Sequence, residues 1–230
     1  MAKRKSGAGH AAARPSDVPA PPADLAKLVN MMTWPKGQVI HRIHLKIYGS
    51  SEFNPGLKGN ARFSPIKLSD GASIPTLYGG TTFDCAAMET VFHDVPFAAG
   101  LKTLDKQKLA DQVYSQVTPK RNLSLADLST TALRKLGVQR NEFIDTEKDK
   151  YPDTRKWAEA IHAACPTAEG LCWVSRQDDR AFAIVLFGDR LAAADLLPIG
   201  GPHGVLANVP VYADLLALAD RIGVNIVDGM

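Results

Sequence analysis

The stretch "LYGGTTFDCAAMETVFHDV", residues 77–95, constrains the fold more than any other part of this 230-residue chain. It begins as a strand, passes a Gly-Gly turn and continues with helical spacing. Thr82 has the chemistry of an N-cap, and Asp84 suits the positive end of a helix running from about Phe83 to His93. At about 100° per residue, Cys85, Met88 and Phe92 share one narrow arc, which should face the core. Glu89 falls inside that arc. An isolated carboxylate in an apolar interior is expensive, so Glu89 must be paired, or protonated at a cost. An arginine such as Arg42 or Arg62 is the natural partner.

Around this unit, strand and helix patterns mix. "QVIHRIHLKIY" alternates apolar and polar residues as a strand does, "NARFSP" reads as a short strand before Pro65, and "PTLYGG" as a third. "QVYSQVT" and "RNLSLADL" are strands joined by a turn, and "GLCWVS" and "AFAIVLFG" suit a hairpin through "RQDD". Helical patterns cover "ADLAKLVNMM", closed by Pro35 and Gly37, then "STTALRKLG" with Gly137 as its cap, "YPDTRKWAEAIHAAC" and "PVYADLLALADRIG". Strict βαβ alternation is missing, so the expected class is α+β, a mixed sheet with flanking helices. Residues 1–22, rich in Ala, Pro, Gly and Lys, read as a disordered arm, and residues 23–230 as one domain.

Charge and cysteine usage exclude several functions. The net charge is +3, and Lys3, Arg4, Lys5 and Arg14 against Asp17 account for all of it, leaving a neutral body. A folded nucleic-acid-binding domain carries its own basic face, so direct nucleic-acid binding is not expected. No run approaches the roughly 18 to 20 apolar residues of a membrane span, and the basic N-terminus lacks the apolar stretch of a secretory signal. The three cysteines, Cys85, Cys165 and Cys172, are odd in number and form no C-x-x-C pair. That argues against a disulfide framework or a zinc knuckle and fits a reducing cytoplasm.

The sequence holds no dinucleotide-binding G-x-G-x-x-G, no phosphate-binding G-x-x-x-x-G-K-[ST], no H-E-x-x-H and no G-x-S-x-G. His41 and His44 point to opposite faces of a strand and cannot share a metal. Glu89 and His93, at i and i+4, offer two ligands without a third, so no metal is expected and His93 reads as a surface or edge residue. What stands out is a set of polar side chains on strands or at their ends: Arg42, Arg62, Tyr78 beside Gly79-Gly80, and Ser175 with Arg176 after "GLCWVS". Rigid elements hold such side chains while adjoining loops leave room for a ligand. Taken singly, each has an ordinary structural reading, and a buried Arg–Glu pair would be one.

Taken together, "HRIH" with Arg42, "GNARFSP" with Arg62, "LYGGTTFDCAAMETVFHDV" with Tyr78 and Glu89, and "GLCWVSR" with Ser175 resemble the RES-domain family. The likeness runs from about residue 38 to 190 and rests on the order of these pieces and on the Tyr-to-Glu spacing of eleven. The long N-terminal arm and extra residues around 66–73 and 130–160 depart from compact members. The resemblance implies a fold similar to that of ADP-ribosyltransferases, and a toxin of a bacterial toxin–antitoxin pair. It implies that NAD⁺ is a consumed substrate rather than a resident cofactor, cleaved at its nicotinamide–ribose bond. The ADP-ribose then passes to a host protein, or to water or phosphate in an NAD⁺ glycohydrolase or phosphorylase. By the same resemblance, Glu89 would stabilise the oxocarbenium-like ribose, Arg42 and Arg62 would grip the pyrophosphate, Tyr78 would face the nicotinamide, and Ser175 would hold Glu89 or the substrate. A small Xre-like antitoxin would block the cleft. The competing reading from another class is a non-enzymatic regulatory or nucleic-acid-binding module acting through its basic arm.

Overall fold

The computed structural model describes residues 18–229. In chain order its strands are β1 (Asn30–Trp34), β2 (Ile40–Leu45), β3 (Ile66–Lys67), β4 (Ser73–Ile74), β5 (Thr76–Gly80), β6 (Lys102–Asp105), β7 (Gln112–Pro119), β8 (Leu123–Asp127), β9 (Gly170–Val174), β10 (Phe182–Phe187), β11 (Leu196–Pro198), β12 (His203–Gly204) and β13 (Val224–Val227). The helices are α1 (Leu25–Leu28), α2 (Phe83–Met88), α3 (Thr130–Leu136), α4 (Arg140–Phe143), α5 (Tyr151–Ala164) and α6 (Val209–Arg221). The main sheet has the order β1-β8-β9-β10-β5-β2-β7-β11, with β12 also on β7. Its pairings are antiparallel except β8 with β9. β6 and β13 form a separate parallel pair, and β3 and β4 a small antiparallel one. This is the α+β architecture that the mixed sequence pattern predicts.

The core explains why the central strands read as near-continuous apolar runs. On β9 and β10, Leu171, Trp173, Ala183, Val185 and Phe187 pack with Leu133, Trp157 and Ile161 of the helices α3 and α5. Cys172, Ile184 and Leu186, one residue out of phase, pack with Trp34, Ile40, Leu77, Val117 and Leu125. The second cluster draws residues from β1, β2, β5, β7, β8, β9 and β10, so the sheet curls on itself and both of its faces are buried there. A third cluster joins Ala86 and Phe92 to Ile43 and to Leu215 and Leu218 of α6.

Four expectations change. The helix over "ADLAKLVNMM" stops at Leu28, and residues 30–34 form β1, because pairing with β8 (Met31 with Ala126, Met32 with Leu125) wins over local helical spacing. "NARFSP" is a turn closed by the single bridge Ala61–Ser64, not a strand. The helix after Gly80 ends at Met88, with Thr82 Oγ1 accepting from Cys85 N as its cap, and turns carry the chain on to Asp94. Residues 1–17 of the expected arm lie outside the described residues. Its last part belongs to the body: Val18 is buried, and Pro19 O accepts from the indole Nε1 of Trp157 at 2.6 Å.

Candidate active site

β2 and β5 share one residue pair, His41 with Gly80. Their backbones come so close there that a Cβ on Gly79 would sit 2.4 Å from Ile40 Cγ2 and 2.9 Å from His41 O, so only glycine fits. Beyond that pair, residues 42–45 of β2 and Thr76, Tyr78 and Gly79 of β5 line a cleft of about 380 Å³. That volume lies in the range of small-molecule sites. Arg42, Arg62, Tyr78 and Glu89 all line it, although the sequence spreads them over 48 positions.

Glu89 is half-buried and faces this cleft, directly after the last turn of α2. Its partner is Ser175, whose Oγ lies 2.6 Å from Glu89 Oε1. The direction of that bond is fixed. The backbone N–H groups of Gln177 and Asp178 both donate to Ser175 Oγ at 3.0 Å, so the serine proton goes to the carboxylate. Ser175 is fully buried, and Arg140 Nη2 donates to its carbonyl at 3.0 Å, which holds the turn behind it. No hydrogen bond or ion pair joins Glu89 to Arg42 or Arg62, so the expected Arg–Glu pair is replaced by Ser–Glu.

Tyr78 presents its ring to the cleft, edge-on to Trp173 at 6.3 Å between centroids. Its hydroxyl accepts from Phe63 N at 3.0 Å, and burial pushes its pKa up, so it stays protonated. Arg62 is anchored through Nη1, which donates to Phe143 O (3.3 Å), Thr146 O (3.2 Å) and Thr146 Oγ1 (2.6 Å). Its Nη2 donates to Tyr151 Oη at 3.4 Å, and its Cζ lies 4.8 Å from the centre of that ring. Arg42 is used differently. Its Nη1 donates to Ser50 O at 2.5 Å, and both Nη atoms reach Glu52 O at 3.3 Å, so it ties down the loop after β2. Burial lowers the pKa of both arginines, Arg42 to about 10 with Glu52 opposing the shift, and both stay cationic at neutral pH.

The lining carries four cations, Arg42, Lys58, Arg62 and Lys148, against the carboxylates of Glu89 and Asp94. It also includes side chains with unmet hydrogen-bonding capacity. Among the described residues, three buried side-chain polar atoms have no partner: Arg42 Nε, Gln112 Oε1 and Trp173 Nε1. All three belong to residues that line this cleft. Buried polar atoms are paired as a rule, so these exceptions mark its wall as a polar one, while the excess of cations is what suits an anionic ligand.

Of the five residues to which the resemblance gives a role, the structure therefore brings four into one cleft, with Ser175 directly behind them. His93, read as a surface or edge residue, lies at the edge of the cleft. It is half-buried, lines the cleft, and places Nε2 2.9 Å from Tyr151 Oη. Trp173, Gln112, Thr146 and Tyr151 escape the sequence reading. Trp173 had a signal, since period two puts it on the same strand face as Ser175. Thr146 and Tyr151 had none, because they meet Arg62 across more than 80 positions of the chain.

With this geometry in hand, comparison with known proteins is informative. A family model described as "RES domain" matches residues 39–207, most of the chain. No curated protein matches the sequence. Among solved structures, a chain of the crystal structure of the M. tuberculosis MbcT-MbcA toxin-antitoxin complex is similar, with a TM-score of 0.55 and 12% identity. The match covers 83% of this chain and 93% of that one. At that identity the likeness is one of fold.

Proposed function

The chain belongs to the RES-domain family, and from that premise we propose that it is the toxin of a toxin–antitoxin pair that cleaves NAD⁺ at its nicotinamide–ribose bond and transfers ADP-ribose to a host protein. The observation that carries the reading is Glu89, held by Ser175 at 2.6 Å and turned into a cleft that also presents Arg62 and Tyr78. A carboxylate with one oxygen fixed, on a residue that lines a cavity, suits a cation that develops only in the transition state.

In this reading the glycosidic C–N bond breaks and its electron pair leaves with nicotinamide, which becomes neutral and needs no acid. The ribose carbon takes up oxocarbenium character beside Glu89, as the sugar does in glycoside hydrolysis. Ser175 keeps Glu89 aimed through the break. Arg62, anchored at Nη1, keeps its Nε and the remaining Nη2 proton for a diphosphate, the side-on fork that anions accept. Arg42 shapes the loop wall and adds positive charge. An acceptor nucleophile then bonds to the ribose carbon and loses its proton to solvent. An active enzyme of this kind would exhaust its own cell, so a partner must close the cleft. An Xre-like antitoxin whose terminal carboxylate meets Arg62 suits that role.

The test is to incubate the purified protein with NAD⁺ labelled in its adenylate part. Label on protein supports transfer, while free ADP-ribose or a phosphorylated product moves the assignment to hydrolysis or phosphorolysis. If no nicotinamide is released under any of these conditions, the proposal falls.

A further inference from the structure

We propose that Tyr151 is a positioning residue for Arg62, clamped in turn by His93, Asp94 and Lys148, and that this row of side chains sets how firmly the cleft grips the diphosphate of its ligand. The inference rests on the NAD⁺ reading above and assigns work to residues that reading does not use. The row is continuous. Lys148 Nζ lies 2.6 Å from Asp94 Oδ2, Asp94 Oδ1 lies 2.7 Å from His93 Nδ1, His93 Nε2 lies 2.9 Å from Tyr151 Oη, and Tyr151 Oη lies 3.4 Å from Arg62 Nη2.

With His93 neutral, the chemistry of the partners gives one direction to every proton in the row. Asp94 is acceptor only, so Lys148 and the Nδ1–H of His93 both donate to it. His93 Nε2 is then a lone pair, which takes the Tyr151 O–H. That leaves the Tyr151 oxygen to accept from Arg62. Burial alone would raise the Asp94 carboxyl, but the hydrogen bonds from Lys148 and His93 lower its pKa.

Position separates this row from ordinary packing. Arg62, His93, Asp94 and Lys148 all line the cleft, so the row runs along its wall from the rim to the buried arginine. Three protein acceptors hold Arg62 Nη1, whereas among the described residues Tyr151 is the one hydrogen-bond partner on its Nη2 side. Without the Tyr151 hydroxyl, the guanidinium keeps its pivot and the ring packed against it, but loses the hydrogen bond that directs its Nη2 side. The fork formed by Nε and Nη2 then no longer points reliably at a diphosphate.

The experiment titrates the full chain with ADP-ribose, which keeps the diphosphate, and measures NAD⁺ turnover in parallel. Tyr151→Phe and His93→Ala are expected to weaken ADP-ribose binding and raise KM for NAD⁺ roughly tenfold, with kcat within about threefold of wild type, as loss of one directing hydrogen bond would do. His93→Gln, whose amide can accept from Tyr151 and donate to Asp94, should restore binding. If Tyr151→Phe and His93→Ala lower the melting temperature but leave affinity and KM unchanged, the row is structural and the proposal is wrong. It is equally wrong if His93→Gln binds as poorly as His93→Ala. A wild-type protein that neither binds ADP-ribose nor releases nicotinamide would overturn the NAD⁺ reading itself, and this one with it.

Discussion

Tyr78 shows how much one hydrogen bond changes the role a residue can take. Its sequence position beside Gly79-Gly80 suggests both a catalytic and a binding part, yet its hydroxyl is already engaged by Phe63 N. With that acceptor role filled, the part of Tyr78 that suits the cleft is its ring, which can face an aromatic such as nicotinamide. Tyr78→Phe should therefore lower stability by about 1–3 kcal/mol, the cost of leaving the buried Phe63 N–H unpaired, while turnover falls only a few-fold. Melting curves and nicotinamide release measured together check this; loss of turnover with unchanged stability would return the hydroxyl to catalysis. At this scale, the sequence carried the polar residues but not their partners. Glu89 was conspicuous because its helical arc was otherwise apolar. That it would meet Ser175 rather than an arginine depends on the turn after β9, whose backbone N–H groups orient the serine proton.

Among the elements, those with a strong local period were legible. β7 alternates buried and half-buried residues along its whole length, α5 and α6 are amphipathic, and Gly137 ends α3 at φ 71° as a C-cap glycine does. Elements made by long-range pairing were not. β1 looks helical until β8 is placed beside it, and β6 has no partner until β13, more than a hundred residues later. The most consequential element detail was also the least visible. α2 stops at Met88, so Glu89 leaves the helix facing the cleft rather than lying within a longer helix. The Gly79-Gly80 pair, read in the sequence only as a turn, completes β5, and Gly79 lets β2 and β5 cross at contact distance beside the cleft.

For the molecule as a whole, burial of histidines sets a pH dependence. Burial lowers the pKa of His41, of His44 to about 4 with Arg42 adding to the shift, and of His162 with Arg190 adding to it. The unfolded chain takes up those protons near the ordinary value of about 6.5, while the folded chain resists. Unfolding then binds protons, so the stability is complete above about pH 6.5 and is lost as pH falls from there through about 4. Calorimetry should show the melting temperature dropping across that window, and His44→Gln should flatten part of the fall; a flat or rising profile would contradict this. The curled sheet and the loop anchored by Arg42 together place a polar cleft that presents Glu89 beside a packed core. The most direct test of that account is nicotinamide release from NAD⁺ by Glu89→Gln, measured beside its melting temperature. Gln keeps an oxygen for Ser175 and removes the charge, so turnover should fall by about a hundredfold or more at unchanged stability. Turnover close to wild type, or turnover and melting temperature falling together, would mean that Glu89 is a structural residue and that the chemistry lies elsewhere.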